Sequence, residues 1–448
     1  MQNYKINLSN DFKKFIAKIF FLFLYKTLLS FFLFKWLSLG DYYFLSLDIN
    51  IKKFYIGLVF FLLSIFFLKN NFINRLILII ILFLLYPSLA LFEVTNFSIY
   101  VLVITFVSLF IIYIFSNLLF LNLKILTKFK IISFKKSYYI CCILVLAYIF
   151  YIFFQIDFRN ELITDLRKFS DYRYMLNFKD EVYYFNSVIT VSILPYILIL
   201  SLYQKKYVLS GIFVALYFFL AIIFMSKVLL FIPLMSIFVY FCFNSRYFFF
   251  LMLGSPIVLL ILSLIEFEML VKYNGIIDYF GSGVFGNYAI RRIIIIPSVV
   301  NFSYLEYFSY NNFLYWGESK ASLGLNNQLK FLPGSEKRVG NFFFLDTYSV
   351  NSGLIGSGYA NLGIWGVAIY SFLAGLLFSL LNSISQNIKC KIVYSVFFTN
   401  IFYIFLIADL LAIFNTYGLL LLILIIMLTD FKEDKSLNQP LKIKNKRT

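Results

Sequence analysis

Apolar positions in this chain do not alternate, and they do not confine themselves to one face of a helix. They run on in long unbroken stretches from Ile16 to Met427, separated by short clusters of Lys, Asn and Ser. Stretches of this kind use lipid as their solvent, because a helix needs about 20 mainly apolar residues to cross a bilayer. The pattern predicts an all-α polytopic integral membrane protein with about twelve transmembrane helices. The predicted spans are 16–38, 54–68, 76–92, 99–119, 139–156, 183–202, 207–225, 228–243, 247–265, 362–382, 392–409 and 413–429. Residues 1–430 then form a single multi-span domain and 431–448 a basic cytoplasmic tail. The first run is followed by many others, so it reads as a membrane segment rather than a cleaved signal.

Charge supplies sidedness. Lys124, Lys128, Lys130, Lys135 and Lys136 follow the fourth run with no acid among them. Lys5, Lys13 and Lys14, Lys69 with Arg75, Lys205 with Lys206, Arg246, Lys389 with Lys391 and the tail fall on the same side of a twelve-span topology. Short Lys/Arg-rich segments stay in the cytoplasm, which puts both termini there. Lys52 and Lys53 dissent, in a segment that also holds Asp41 and Asp48. On the other side, residues 157–182 carry six acids and five bases, and 266–361 carry seven of each. They read as a short outer segment and a large external loop between spans 9 and 10.

Composition narrows the class. The chain is 62% hydrophobic and 13% charged, against roughly a quarter charged in a soluble domain. Its formal charge of +18 follows the positive-inside pattern, and no polar basic domain gathers it for nucleic acid. The 60 Phe and 35 Tyr match the codon use of AT-rich coding sequence and carry no functional weight. Histidine is absent and the four cysteines are scattered, so no metal-ligand spacing and no cofactor motif stands out.

Ionisable residues inside apolar runs mark polar paths or partners. Lys18 and Lys35 sit near span ends, where snorkelling suffices. Lys26 lies nearer the middle: a functional lysine, or, the more frequent case, a helix with a misplaced boundary or one lying partly in the interface. Lys227 is either a turn lysine touching headgroups or a cation facing an anionic substrate. Asp409 is a helix-end acid, an ion-pair partner or a proton acceptor. In DFRNELITDLRKFSDYRYMLNFKDEV (157–182), Arg167 and Arg173 suit phosphate oxygens, or else pair with Asp165, Asp171 or Asp180. In 266–361 stand the adjacent Arg291 and Arg292, which a helix would turn about 100° apart, then SYLEYFSY with Tyr304, Glu306 and Tyr307, then Trp316. Tyr and Trp here are also sugar-binding chemistry. Gly353, Gly356, Gly358, Gly363 and Gly366 permit turns and close helix approach.

Three stretches resemble the bacterial oligosaccharide repeat-unit polymerases of the O-antigen and capsular pathways, the Wzy type. They are DLRKFSDYRYMLNF (165–178), FMSKVLLFIPLMSIFVYF (224–241), and RRIIIIPSVVNFSYLEYFS (291–309) through VNSGLIGSGYANLGIWGVAIYSFLAGLLF (350–378). The resemblance implies glycosyl transfer at the outer face of the inner membrane, with undecaprenyl-diphosphate-linked oligosaccharides as substrates. It also implies a chain-length regulator and other polysaccharide-assembly proteins as partners. The lipid diphosphate leaving group would be met by Arg173, Arg291, Arg292 and Lys227, and the attacking hydroxyl by Glu306 or Asp409. Arg167, Tyr304, Tyr307 and Trp316 would hold substrate. No metal is required by this scheme. An O-antigen ligase-like transferase and a lipid-linked oligosaccharide flippase or other transporter remain the alternatives.

Overall fold

The computed structural model describes residues 2–38, 44–68, 71–118, 130–155, 178–224, 226, 228–243, 247–274, 284–318, 333–344 and 350–431. In chain order the helices are α1 (Gln2–Leu37), α2 (Ile51–Ser64), α3 (Phe72–Val94), α4 (Ile99–Leu118) and α5 (Phe134–Gln155). Next come α6 (Asp180–Tyr203), α7 (Tyr207–Ile223), α8 (Val228–Cys242), α9 (Phe248–Asn274), and α10, which joins Val284–Ile295 to Ile296–Tyr310. The last are α11 (Ser335–Phe343), α12 (Leu354–Asn387), α13 (Cys390–Leu406), α14 (Leu410–Asn415) and α15 (Leu419–Leu428).

Among the described residues, seven helices are long and apolar enough to cross a membrane, not twelve. They lie in α1, α3, α4, α5, α6, α9 and α12. The apolar runs were placed correctly, but a run of hydropathy does not set the length of a helix. Tyr207–Ile223, Val228–Cys242, Cys390–Leu406 and Leu419–Leu428 are apolar helices of 10–17 residues, under the roughly 20 that a bilayer demands. The segment 266–361, expected as an external loop, has its own secondary structure. Its described part is mostly helical: α9 continues to Asn274, and α10 buries Pro297 to Leu305 continuously. Beyond Leu305 the helix emerges, with Glu306 and Tyr307 half-buried and Ser309 and Tyr310 exposed.

The chain divides into two compact units. The first contains residues 1–119, 245–378 and 404–410. Here α3 changes to π-helical winding at Ile81–Leu85, ahead of Pro87, which has no N–H to give. The freed carbonyls find hydroxyls. Tyr25 donates to the Leu82 carbonyl at 2.9 Å, and Ser298 donates to that of Leu84 at 3.2 Å. Such small hydroxyl contacts replace the hydrophobic drive that lipid cannot supply between helices.

The second unit contains residues 120–244, 379–403 and 411–448. It repeats the device. Residues Ile189–Ile193 of α6 are π-helical, ahead of Pro195, and the carbonyls of Thr190 and Val191 accept from Tyr217 at 2.8 Å and Asn400 at 3.2 Å. A two-residue parallel pairing of Ile132–Ser133 with Thr429–Asp430 ties α5 to the end of α15.

Candidate functional site

Two helix interruptions in the first unit build the site. Near its start α12 leaves helical geometry at Leu362 (φ −152°, ψ 28°) and Gly363 (φ 60°, ψ −140°). The positive φ suits glycine, and the Phe313 ring closes over the position. Gly358 and Gly366 then touch through their backbones, a methyl on Gly358 lying 3.0 Å from the Gly366 oxygen. Residues 354–361 therefore form a half-helix folded back on the main helix. The second interruption separates α13 from α14 across Ile407–Asp409. The two meet where the backbone of Gly353 packs against the Phe405 carbonyl, with no room for a side chain.

A polar network joins these breaks. Leu314 and Tyr315 donate their N–H groups to the carbonyls of Ala360 and Asn361 at 2.8 and 3.0 Å, capping the half-helix. Tyr315 and Trp316 adopt left-handed φ values of 47° and 58° to do so, strain of the kind that gathers at functional sites. The Trp316 N–H donates to Asn361 Oδ1 at 2.9 Å, and its indole Nε1 donates to the Tyr370 hydroxyl at 3.1 Å. Asn361 Nδ2 reaches the same oxygen at 3.4 Å. Tyr370 in turn donates to Asp409 Oδ2 at 2.9 Å. The result is a carboxylate in an unwound segment, half-buried, with its orientation set by a buried phenol.

Sequence reasoning proposed two members of this network, Trp316 and Asp409, from separate segments of the chain. It missed Tyr370 and Asn361. Their signal was available only as polar groups near a glycine cluster in an otherwise apolar run.

The other candidates fall elsewhere. Tyr304 is buried and donates to the Val350 carbonyl at 2.9 Å. Burial, then the Glu336 carboxylate, pushes its phenol well above the ordinary tyrosine range, so it stays neutral. Tyr307 packs edge-on against Phe308 and Phe342. Glu306 is half-buried and acts electrostatically on Tyr359 of the half-helix. Arg291 is partly buried and Arg292 exposed, so the pair splits between two directions as a helix requires. Arg167, Arg173 and Lys227 lie outside the described residues. Among the described residues no three His, Cys, Asp or Glu side chains gather as metal ligands would.

Lys26 lies within the candidate span Phe12–Leu37 rather than at its boundary. It is 1% exposed in the middle of α1 and pairs at 2.5 Å with Glu93, which is 5% exposed. Ser30 donates to the second carboxylate oxygen at 3.2 Å, and the Phe54 ring lies 4.7 Å from the ammonium. Gly57 makes the space: a methyl there would overlap the Glu93 carboxyl. A cavity of about 420 Å³ opens beside the pair, between Asn50, Phe54 and Val94.

The fold defines an all-α, multi-pass membrane protein with a carboxylate held at a pair of interrupted helices. No family model matches the chain, and no curated protein or solved structure matches it either.

Proposed function

We propose that this chain is a glycosyltransferase of the bacterial inner membrane that polymerises undecaprenyl-diphosphate-linked oligosaccharide repeat units for O-antigen or capsular polysaccharide. The observation that carries the reading is Asp409, a carboxylate that accepts from Tyr370, whose hydroxyl in turn accepts from the indole of Trp316. Such a group is a positioned proton acceptor beside an aromatic surface. In the reaction, a hydroxyl of the terminal sugar of one unit attacks the anomeric carbon of another. Its proton passes to Asp409, the bond to the diphosphate oxygen breaks, and the lipid diphosphate leaves. Arg291 and Arg292 are the described cations assigned to that leaving charge, and Glu306, which lies apart from the network, is the alternative proton acceptor. Both termini are assigned to the cytoplasm from the Lys/Arg pattern, which requires an even number of crossings and so enlists at least one of the shorter helices. A chain-length regulator is the expected protein partner.

A second reading rests on a different observation. The buried start of the half-helix against the carbonyl end of α13 is the kind of discontinuous-helix crossing at which transporters bind cargo. One experiment separates the two. Purified full-length protein in vesicles is given lipid-linked repeat units, and products are sized with and without EDTA. Chains longer than one unit, lost in Asp409→Asn, support the transferase. Repeat units that cross the bilayer without growing would establish the transporter instead. Retained extension in Arg291→Ala, Arg292→Ala and the double variant would remove the arginines from the scheme.

A further inference from the structure

Just beyond the turn at Leu362–Gly363, α12 presents Ile364 and Trp365, 55% and 75% exposed. Tyr315, 57% exposed, is held beside them by its bond to the Asn361 carbonyl. The sequence that follows is apolar through Leu381 and turns polar at Asn382, Ser383, Ser385 and Gln386. From Trp365 to Asn382 a helix rises about 26 Å at 1.5 Å per residue, close to the ~30 Å hydrocarbon thickness. One end of this span is polar, so the other boundary falls where Trp365 stands. Trp and Tyr are the side chains that favour that boundary, their rings apolar and their N–H or O–H able to reach water.

We infer that the turn at Leu362–Gly363 lies at the lipid headgroup boundary, with Ile364, Trp365 and Tyr315 inserted into it, and that residues 354–361 form a re-entrant half-helix descending from there into the membrane. Non-helical backbone at membrane depth is tolerated only when protein covers it, and residues 352–361 are buried throughout. Tyr370 is then about 7 Å further along the axis than Trp365. The Trp316–Tyr370–Asp409 network sits just inside one membrane face, at a depth the head of a lipid-borne molecule can reach. This placement stands whether the protein transfers sugar or transports it.

Tryptophan quenching tests the depth directly, because the chain has three tryptophans and Trp36 is buried. The full-length Trp36→Phe/Trp316→Phe variant leaves Trp365 as the reporter. It is reconstituted in phosphatidylcholine vesicles whose acyl chains carry bromine near the headgroup or near the bilayer centre. The expected result is about twofold stronger quenching by the shallow label than by the deep one, with little quenching by aqueous iodide. Should the double variant fail to fold, the difference in quenching between the wild type and Trp365→Phe gives the same reading. Stronger quenching by the deep label would overturn the placement. So would iodide quenching without lipid quenching, which would make the exposed aromatics a platform in water, open to soluble glycans.

Discussion

Two carboxylates in the first unit sit at helix ends and meet opposite fates. Glu93 lies one residue before the end of α3, and Asp409 one residue before the start of α14. Glu93 is buried and paired: Gly57 makes room for it, Lys26 neutralises it, and Ser30 donates to its other oxygen. Asp409 is half-buried in backbone that has left the helix, and one bond that orients it comes from the phenol of Tyr370. Paired with an ammonium, the Glu93 carboxylate holds helices in register and is a weaker proton acceptor than it would be unpaired, although a cavity opens beside it. An oriented, half-buried carboxylate at a helix break can accept a proton. Within one fold, then, burial with a counter-charge reads as architecture, and orientation at an interruption reads as chemistry.

The comparison breaks most visibly at Lys26. Lys26→Met strands the Glu93 charge in a protein interior, which typically costs about 3–5 kcal/mol. We expect Lys26→Met to unfold at markedly lower denaturant than wild type when reconstituted protein is titrated. The Lys26→Met/Glu93→Leu double variant should recover most of that loss, because apolar replacement of a whole buried pair is often neutral. A double variant as unstable as the single would mean that the pair contributes specific contacts an apolar core cannot replace.

Asp409→Asn should show the reverse signature. Under the proposed chemistry it removes a proton acceptor while keeping the hydrogen bond from Tyr370. The expected loss in chain extension is about 10²- to 10³-fold, within the range for general bases, at unchanged protein abundance. Glu93→Gln in the same assay should leave the rate per folded molecule within about twofold. Equal rate losses in both variants would erase the distinction between the two carboxylates.

Gly57 sharpens the architectural half. A methyl at position 57 meets the Glu93 carboxyl, so Gly57→Ala forces that side chain to move. Overpacking of this kind costs about 1–3 kcal/mol. Thermal unfolding should fall accordingly, and in the Lys26→Met/Glu93→Ala background, which carries neither buried charge nor the overlapping carboxyl, Gly57→Ala should cost much less.

The sequence disclosed these features unevenly. The membrane class was legible because long apolar stretches have one physical explanation. The crossing count was not, since Val228–Cys242 and Cys390–Leu406 are apolar helices that hydropathy alone does not separate from longer ones. Nothing local marks α10 as a buried helix: RRIIIIPSVVNFSYLEYF carries the charge of a loop and the apolarity of a core. At the site, Asp409 and Trp316 could be singled out as rare residue types in apolar or aromatic surroundings. Their meeting depends on the reversal at Leu362–Gly363, and a glycine cluster announces that a turn is possible without saying which residues it brings together. Lys26 was visible, but Glu93 was not connected to it, since only the packing of α1 on α3 reveals the pair.

The smallest effect we expect is also the most diagnostic of a network. Tyr370→Phe removes the hydroxyl that donates to Asp409 and accepts from Trp316 and Asn361. A hydrogen bond to a charged group contributes about 1.5 kcal/mol at the low end, the relevant end for a half-buried acid, so the rate should fall about tenfold. Stability will also drop, since the indole N–H loses its acceptor, and rates must be compared per folded molecule. The decisive measurement is the double variant. If Tyr370 acts by orienting Asp409, then Tyr370→Phe added to Asp409→Asn should reduce the rate no further, because the group it positions is already gone. Were the two losses to multiply, Tyr370 would have a contact with substrate of its own, and the phenol rather than the carboxylate would become the centre of the site.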